Sequence, residues 1–206
     1  MSISAHQFDV LPGFTPVSGL GPHRASDYFG LNEGEPVELI YGRLAVSPAP
    51  DYSHQVVVAL LTELLLPIAR TSGGRMAPAP FDVEFADHSI VQPDLIYVTK
   101  GNRRRIQRHL VGPPDLAIEV VSGSIARRDR VDKLALYAEF GVAEYWIVDP
   151  RERQFDFLVN RSGRFEVQPQ LDDRYQSPVM PELAIDLAAF WGEVARQLAD
   201  DPPAHS

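Results

Sequence analysis

Residues 91–98 read VQPDLIYV, a short apolar run with one carboxylate, Asp94, inside it. Residues 115–122, DLAIEVVS, repeat this pattern around Glu119. Runs this short and this rich in valine and isoleucine predict strands that are buried on both faces. An ionised carboxylate in such a strand is costly unless a metal, a cation or hydrogen bonds compensate its charge. The two acids therefore predict neighbouring strands that share one compensating ion.

A basic helix is predicted after the second strand. Residues 127–133 read RRDRVDK and open a helical pattern that Gly141 ends. Lys133 lies in this segment, and a short Ser-Gly-Ser connection keeps the start of the helix near the end of the strand. Two carboxylates and one lysine form a recurring set for phosphodiester hydrolysis with a divalent metal ion. Mg²⁺ and Mn²⁺ prefer oxygen ligands, so the sequence favours one of these ions.

The other segments predict an α/β fold around these strands. Alternation and helical spacing give a hairpin over residues 37–46, a helix over 55–70, strands over 81–85 and 144–149, a closing hairpin over 155–168 and a helix within 182–199. This order predicts a mixed β-sheet flanked by helices, with an extra N-terminal hairpin and a C-terminal hairpin plus helix. We expect one domain over residues 23–199, with an irregular lead-in (1–22) and a loose tail (200–206).

Composition restricts the class of protein. The chain has 206 residues, which suits one domain with a sizeable core, and its hydrophobic content of 45% is ordinary for a globular protein. It contains no cysteine, which excludes disulfides and thiolate metal sites. No signal-peptide pattern and no apolar stretch approaching about 20 residues is visible in the sequence. We therefore expect a cytoplasmic protein without a membrane-spanning helix.

The charge pattern gives conflicting indications about nucleic acid. A net charge of −9 argues against a protein that binds phosphates. However, arginines cluster between the two acidic strands and again after the second, and we expect both clusters to flank the carboxylates and contact phosphates. They are Arg103, Arg104 and Arg105, then Arg127, Arg128 and Arg130. A solvated loop and an exposed helix face would produce the same pattern, and that alternative stays open.

Several short motifs, taken in order, resemble one protein family. They are YGRL (41–44), PFDV (80–83), VQPD (91–94), IEVVS (118–122), RDR (128–130) and the segment 133–150. This ordered set resembles the Uma2 family (DUF820) of restriction-type endonucleases, in the PD-(D/E)xK nuclease superfamily, over roughly residues 24–190. The resemblance implies a restriction-endonuclease-like fold and a metal-dependent endonuclease that acts on DNA. It also implies a homodimer, since nucleases of this fold commonly dimerise.

The resemblance implies roles for individual residues. The catalytic residues would be Asp94, Glu119, Lys133 and Glu38. The ligands of the metal ion would be Asp94, Glu119, the carbonyl of Val120, and His54. Without the resemblance, Glu38 would be interpreted as a solvent-facing strand residue and His54 as a surface or cap residue at the start of its helix.

One position departs from the usual superfamily pattern. The lysine commonly lies two residues after the glutamate on the same strand, and that position here is Val121. The Uma2-like pattern has a displaced lysine, which corresponds to Lys133. A lysine side chain is long and flexible enough to reach the same volume from a neighbouring helix.

Two other functions are compatible with the sequence. The first is an inactive nucleic-acid-binding domain that keeps the nuclease fold, which Val121 and the acidic net charge favour. The second is a protein unrelated to nucleic acid, in which the two buried acids are paired structurally with arginines. Metal binding distinguishes a nuclease from the second alternative, and DNA cleavage distinguishes it from the first.

Overall fold

The structure of the protein is a computed structural model, which describes residues 19–31, 36–46, 49–121 and 126–199. The side chains of residues 126–130 are outside this description. Most of the predicted lead-in (1–18) and the predicted tail (200–206) also lie outside the described residues.

Two mixed sheets form the centre of the fold. The first contains β1 (Val37–Ile40), β2 (Arg43–Val46), β4 (Val83–Ala86), β5 (Ser89–Val91) and β7 (Leu110–Val111), in the order β2-β1-β5-β4-β7. The second contains β3 (Arg75–Pro78), β6 (Leu95–Val98), β8 (Leu116–Val120), β9 (Glu144–Asp149), β10 (Gln154–Asn160) and β11 (Phe165–Val167), in the order β11-β10-β9-β8-β6-β3.

Helices and a small hairpin complete the fold. The helices are α1 (Ala25–Tyr28), α2 (Tyr52–Thr71), α3 (Ala126–Phe140) and α4 (Leu187–Ala199), with a 3₁₀ helix over Lys100–Arg105. The small hairpin pairs β12 (Arg174–Gln176) with β13 (Ala184–Asp186). The predicted fold class, mixed β-sheet flanked by helices, is confirmed. The C-terminal helix α4 lies within its predicted span of 182–199, and β13 precedes it.

The central strands β6 and β8 of the second sheet are buried on both faces. Alternate residues of β6 and β8, among them Leu95 and Ile118, pack into a core with α2 and α4. The residues between them, such as Ile96 and Ala117, pack into a second core with α3 and the first sheet. Burial on both faces explains why these strands read as continuous apolar runs in the sequence.

The helix α3 connects two parallel strands. It follows β8 and precedes β9, which pairs with β8 in parallel so that Glu119 lies opposite Ile147 and Val120 opposite Val148. β6 runs antiparallel to β8, and Leu95 lies opposite Ile118. The start of β6 and the ends of β8 and β9 therefore lie at one edge of the second sheet, which we call the carboxylate edge. It contains Asp94 and Glu119.

The predicted strand over residues 91–98 is two strands in different sheets. β5 ends at Val91 in the first sheet, and β6 begins at Leu95 in the second. Pro93 between them has no amide hydrogen for a sheet ladder, so the chain leaves one sheet there and enters the other. Asp94 therefore precedes a strand and does not lie inside one. The interval 92–94 is the point where the two sheets meet.

The hairpin of β1 and β2 turns at Tyr41 and Gly42, as the sequence predicts. Both residues have positive φ, 49° and 78°, which is the backbone of the tight turn that suits the twist of a hairpin. The backbone of Gly21 lies against this turn, and its amide donates to the carbonyl of Tyr41 at 2.7 Å. A Cβ on Gly42 would lie 2.5 Å from the carbonyl oxygen of Gly21. Contacts of the domain thus extend into the predicted lead-in.

The helix α2 is apolar because it packs into the core. It has 20 residues and a mean hydropathy of 1.4, long and apolar enough to cross a membrane by length and composition alone. The expectation that no stretch approaches this length is therefore wrong. Asp51 caps the helix by accepting a hydrogen bond from the amide of His54 at 2.9 Å. The buried residues of α2 are His54, Val56, Val57, Leu60, Leu61, Leu65 and Ala69.

A buried glutamate attaches the C-terminal elements to the second sheet. Glu144, at the start of β9, has no exposed surface, and burial raises its pKa although its hydrogen bonds act in the opposite direction. It accepts hydrogen bonds from Trp146 Nε1 (2.6 Å), Tyr175 Oη (2.9 Å), Ser177 Oγ (2.6 Å) and the amide of Val179 (3.2 Å). This acid lies at the opposite edge of the sheet from Asp94 and Glu119.

Replacing Glu144 with alanine should destabilise the fold strongly. The change leaves three side-chain donors buried without an acceptor, and each costs about 1–3 kcal/mol. We therefore expect the free energy of unfolding in urea to fall by about 3 kcal/mol or more. Glu166→Ala, which removes an exposed acid from β11, is the matched control and should change stability little. Equal stability of the two variants would contradict this role.

Candidate active site

Asp94 is held at the end of β8. Its Oδ2 atom accepts a hydrogen bond from the amide of Val120 at 2.7 Å, and its carbonyl accepts one from Ala79 at 3.0 Å. His54, in the first turn of α2, places Nε2 at 3.2 Å from the same Oδ2 atom. Backbone and helix together fix this carboxylate beside Glu119, the residue before Val120.

Glu119 is bound by two side chains of α3. Its Oε1 atom accepts hydrogen bonds from Lys133 Nζ at 3.0 Å and from Tyr137 Oη at 2.7 Å. These two donors are four residues apart and therefore share one face of the helix. Lys133 is the eighth residue of α3, which begins at Ala126.

Glu38 of the first sheet completes the cluster. Its Oε1 atom lies 2.9 Å from Lys133 Nζ and accepts a hydrogen bond from the amide of Gln92 at 2.7 Å. Its side chain is only 6% exposed, so the interpretation of Glu38 as a solvent-facing strand residue is wrong. The ammonium of Lys133 is therefore shared between Glu38 and Glu119, one carboxylate from each sheet.

The electrostatics of the cluster keep Lys133 charged. Burial alone would lower the pKa of Lys133, but the charges of Glu119 and Glu38 outweigh it and raise the pKa. Burial raises the pKa of Glu119, as do the charges of Asp94 and Glu38, while Lys133 acts in the opposite direction. Lys133 contacts two carboxylates, and Asp94 acts on Glu119 as a third negative charge, so the cluster favours a further cation.

His54 holds Asp94 through its Nε2 atom, so this nitrogen is not available to bind a metal. Burial would lower the pKa of His54, but the hydrogen bond to Asp94 and its charge outweigh burial and raise the pKa. Among the described residues, its Nδ1 atom is buried without a hydrogen-bond partner. Since Nε2 is committed to Asp94, we assign His54 the role of positioning this carboxylate. Its role as a ligand stays a prediction from the resemblance.

The donor set fits a hard divalent cation. In the described part of the chain, no group of three or more His, Asp or Glu side chains is arranged as a metal site. Mg²⁺ does not require one, because one or two carboxylates with waters commonly hold it. Oδ1 of Asp94 and Oε2 of Glu119 make no hydrogen bond to any described residue, so each acid has an oxygen to offer. Coordination by the Val120 carbonyl stays a prediction.

The structure does not bring the first arginine cluster to the carboxylates. Asp94 precedes β6, whereas the 3₁₀ helix with Arg103, Arg104 and Arg105 follows it. Five extended residues separate Asp94 from the start of this helix, roughly 16 Å of chain. Two of these side chains donate to carbonyls nearby, Arg103 to Gly73 and Arg105 to Pro113. The expectation that this cluster flanks the acids is wrong, and its contact with phosphates stays a prediction.

The second arginine cluster is only partly described. The backbone of Arg127, Arg128 and Arg130 belongs to the start of α3, and their side chains lie outside the described residues. Lys133 lies further along the same helix, and the structure places its side chain against the carboxylate of Glu119.

Sequence reasoning missed two members of the site. The first is Tyr137, whose spacing of four residues from Lys133 indicates the same helix face. The second is Gln92, whose backbone amide donates to Glu38, and a pattern of side chains cannot indicate a backbone contact. Its side chain donates to Asp82 Oδ1 at 2.8 Å, and Tyr28 Oη donates to the same oxygen at 2.8 Å. Asp82 is therefore half-buried and accepts hydrogen bonds from two side chains.

Comparisons with known proteins agree with this fold. The profile of the Uma2 family, described as "Putative restriction endonuclease", matches residues 25–188. A solved structure from Anabaena variabilis ATCC 29413, described as "a putative nuclease belonging to DUF820", aligns with a TM-score of 0.71. The alignment covers 84% of this chain and 99% of that one at 19% identity, a level at which the likeness shows the fold alone. No curated protein matches significantly.

Tyr137→Phe should weaken divalent-metal binding without unfolding the protein. The change removes only the hydroxyl that orients Glu119, and loss of such an outer partner commonly costs about 10–100-fold in metal affinity. Isothermal titration with Mn²⁺ measures the effect. Tyr175→Phe is the matched control, because it removes a tyrosine hydroxyl that donates to buried Glu144 at the opposite edge. If both variants bind Mn²⁺ equally, Tyr137 does not position a metal ligand.

Proposed function

This chain belongs to the Uma2 family, and we propose that it is a metal-dependent endonuclease that hydrolyses phosphodiester bonds in DNA. The observation that carries the proposal is the ammonium of Lys133 between Glu119 and Glu38, with Asp94 bonded to the amide of the residue after Glu119. The side chains of Asp94 and Glu119 are 19% and 12% exposed, so the cluster is buried but open to a substrate.

Asp94 and Glu119 would hold Mg²⁺ or Mn²⁺, with the Val120 carbonyl as a further ligand. Such an ion, when bound, supplies Lewis-acid chemistry to phosphate hydrolysis. The fixed position of Asp94 supports this assignment, because the Val120 amide and His54 both engage Oδ2. On Glu119, Lys133 and Tyr137 both engage Oε1.

Lys133 would act as a cation and not as a general base. Its raised pKa keeps the amine protonated at neutral pH. A fixed ammonium beside the metal ligands can stabilise the negative charge that develops on a phosphate in the transition state. Glu38 would serve this role indirectly by holding Lys133 from the side of the first sheet. In the overall reaction, water attacks phosphorus and one phosphorus–oxygen bond to a sugar breaks.

Val121 does not argue against activity in this arrangement. Its side chain packs into the core shared with α3, and the ammonium that the usual pattern places on the strand comes here from the helix. The described partners of the two acids are Lys133, Tyr137, His54 and the Val120 amide. No arginine among the described side chains pairs with them, which weakens the alternative of a structural acid–arginine pairing. DNA as substrate, a homodimer and a cytoplasmic location are further parts of the proposal.

Removing a proposed metal ligand should abolish cleavage. Asp94→Asn keeps the size of the side chain and an oxygen for the Val120 amide but lowers the affinity for a divalent cation. Removing a residue that merely hydrogen-bonds to a metal ligand already lowers metal affinity or activity about 10–100-fold. For loss of the ligand itself we expect a larger decrease in the rate of plasmid cleavage with Mg²⁺. Glu166→Gln, an exposed acid, is the control for the charge change. Cleavage by Asp94→Asn at the parent rate would overturn the proposed site.

Removing the ammonium should slow cleavage while metal still binds. Lys133→Met alone leaves Glu38 and Glu119 without their cation, which commonly costs about 3–5 kcal/mol of stability. We therefore combine it with Glu38→Gln. The double variant should lose about 10²–10³-fold in rate and keep most of its Mn²⁺ affinity.

Two comparisons decide the role of Lys133. Glu38→Gln alone retains the ammonium and should cleave faster than the double variant, and equal rates would show that Lys133 is not catalytic. Adding Val121→Lys to the double variant places a lysine on the same face of β8 as Glu119. We expect part of the rate to return.

A further inference from the structure

The turn between β9 and β10, residues 150–153, lies at the carboxylate edge. β9 runs parallel to β8, with Val120 opposite Val148, and ends one residue later at Asp149. β10 returns antiparallel, with Gln154 opposite Asp149. Adjacent strands are about 4.8 Å apart, so this turn lies within about 10 Å of the end of β8 across the sheet. It follows the strand next to the one that carries Glu119.

The turn also lies beside the start of α2. The pKa of Asp51, the cap of α2, is lowered mainly by hydrogen bonds from the amide of His54 and from Ser53, and the positive charge of Arg151 adds to the effect. Three residues after Asp51, His54 contacts Asp94 at 3.2 Å. Arg151 is therefore near the helix end that supports Asp94, as the strand register also indicates.

Two arginines of this turn are exposed and available. Arg151 and Arg153 face solvent, and in the described part of the chain neither side chain makes a hydrogen bond or an ion pair. Arg153 also lines a cavity of about 210 Å³ together with Asp173, Phe155 and Trp191. In contrast, Arg103 and Arg105 at the opposite edge donate to carbonyls.

The acids near the turn partly offset these charges. Asp149 accepts hydrogen bonds from the amides of Arg151 and Glu152, at 3.0 Å and 3.2 Å, and Asp51 accepts from the amide of His54 and from Ser53 Oγ. Both carboxylates are thus engaged with neighbouring donors. Glu152 is exposed and points to no described partner. An arginine on a flexible side chain can approach a phosphate while such capping acids stay in place.

We infer that Arg151 and Arg153 contact the phosphates of the nucleic acid that enters the carboxylate edge. This inference rests on the proposed function and specifies the surface that binds its substrate. Duplex DNA carries one charge per about 1.7 Å of axis, so phosphates next to the cleaved bond come within reach of this turn. The contacts are to the backbone and do not read base sequence.

The test compares two turns of the same sheet. The variant Arg151→Ala/Arg153→Ala changes the proposed contacts. The matched control is Arg161→Ala/Arg164→Ala, which removes two exposed arginines from the β10–β11 turn at the opposite edge. Fluorescence anisotropy with a labelled DNA duplex, in EDTA to exclude metal-dependent cleavage, gives the affinity of the full chain at several salt concentrations.

We expect the two double variants to differ. Each lost phosphate contact reduces the slope of log affinity against log salt by about 0.9, so Arg151→Ala/Arg153→Ala should bind more weakly with a slope smaller by about 1.8. In cleavage assays with Mg²⁺, its KM should rise while kcat stays near that of the parent. The control variant should keep the parent slope and KM.

Failure of the inference can be told from failure of the proposed function. If the unmodified chain cleaves DNA and both double variants keep its slope, or both lose it equally, the turn is not the contact surface and only this inference is overturned. If the unmodified chain neither binds nor cleaves DNA, the proposed function and this inference are overturned together.

Discussion

The ammonium of Lys133, between Glu38 and Glu119, is the interaction on which the junction of the two sheets depends. It joins β1 of the first sheet, β8 of the second sheet and α3 with contacts of 2.9 Å and 3.0 Å. All three groups are nearly buried, and a buried charge that loses its partner costs about 3–5 kcal/mol. The three elements must therefore dock together for any of them to be stable at this point. The chemistry proposed for the site uses the same contact that organises the fold.

The path of the chain brings the acids to this junction. Residues 92–94 pass from the first sheet to the second, so that the amide of Gln92 holds Glu38 while Asp94 faces the end of β8. Helices then fix the orientation of the carboxylates, α2 through His54 and α3 through Tyr137. Glu144, at the opposite edge, is satisfied by four donors without any cation. The charges of Glu119 and Glu144 are therefore compensated in different ways. Glu144 is surrounded by neutral donors alone, whereas Glu119 lies in a cluster of carboxylates, and only the cluster suits a metal ion.

Much of this site follows from local sequence. Asp94 and Glu119 stand out because each interrupts an apolar run, and Lys133 stands out because it lies in a basic helix that follows the Glu119 strand after a short connection. Such signals are local. The contribution of Glu38 came from family resemblance, since a strand residue in a hairpin carries no signal of its partner 95 positions away. The location of Arg103 to Arg105 could not be predicted, because it depends on the direction of β6 relative to the site. The division of residues 91–98 between two sheets likewise depends on tertiary contacts, although Pro93 marks the place.

The close approach of Gly21 to the hairpin turn has a practical consequence. The amide of Gly21 donates to the carbonyl of Tyr41, directly after the strand that carries Glu38. A shortened version of the protein that begins at residue 23, where the sequence predicts that the domain begins, would lose this bond and expose the back of the turn. Truncation before residue 19 retains it. Workers who trim the amino terminus for crystallisation should therefore judge the boundary by this backbone contact and not by the extent of family similarity.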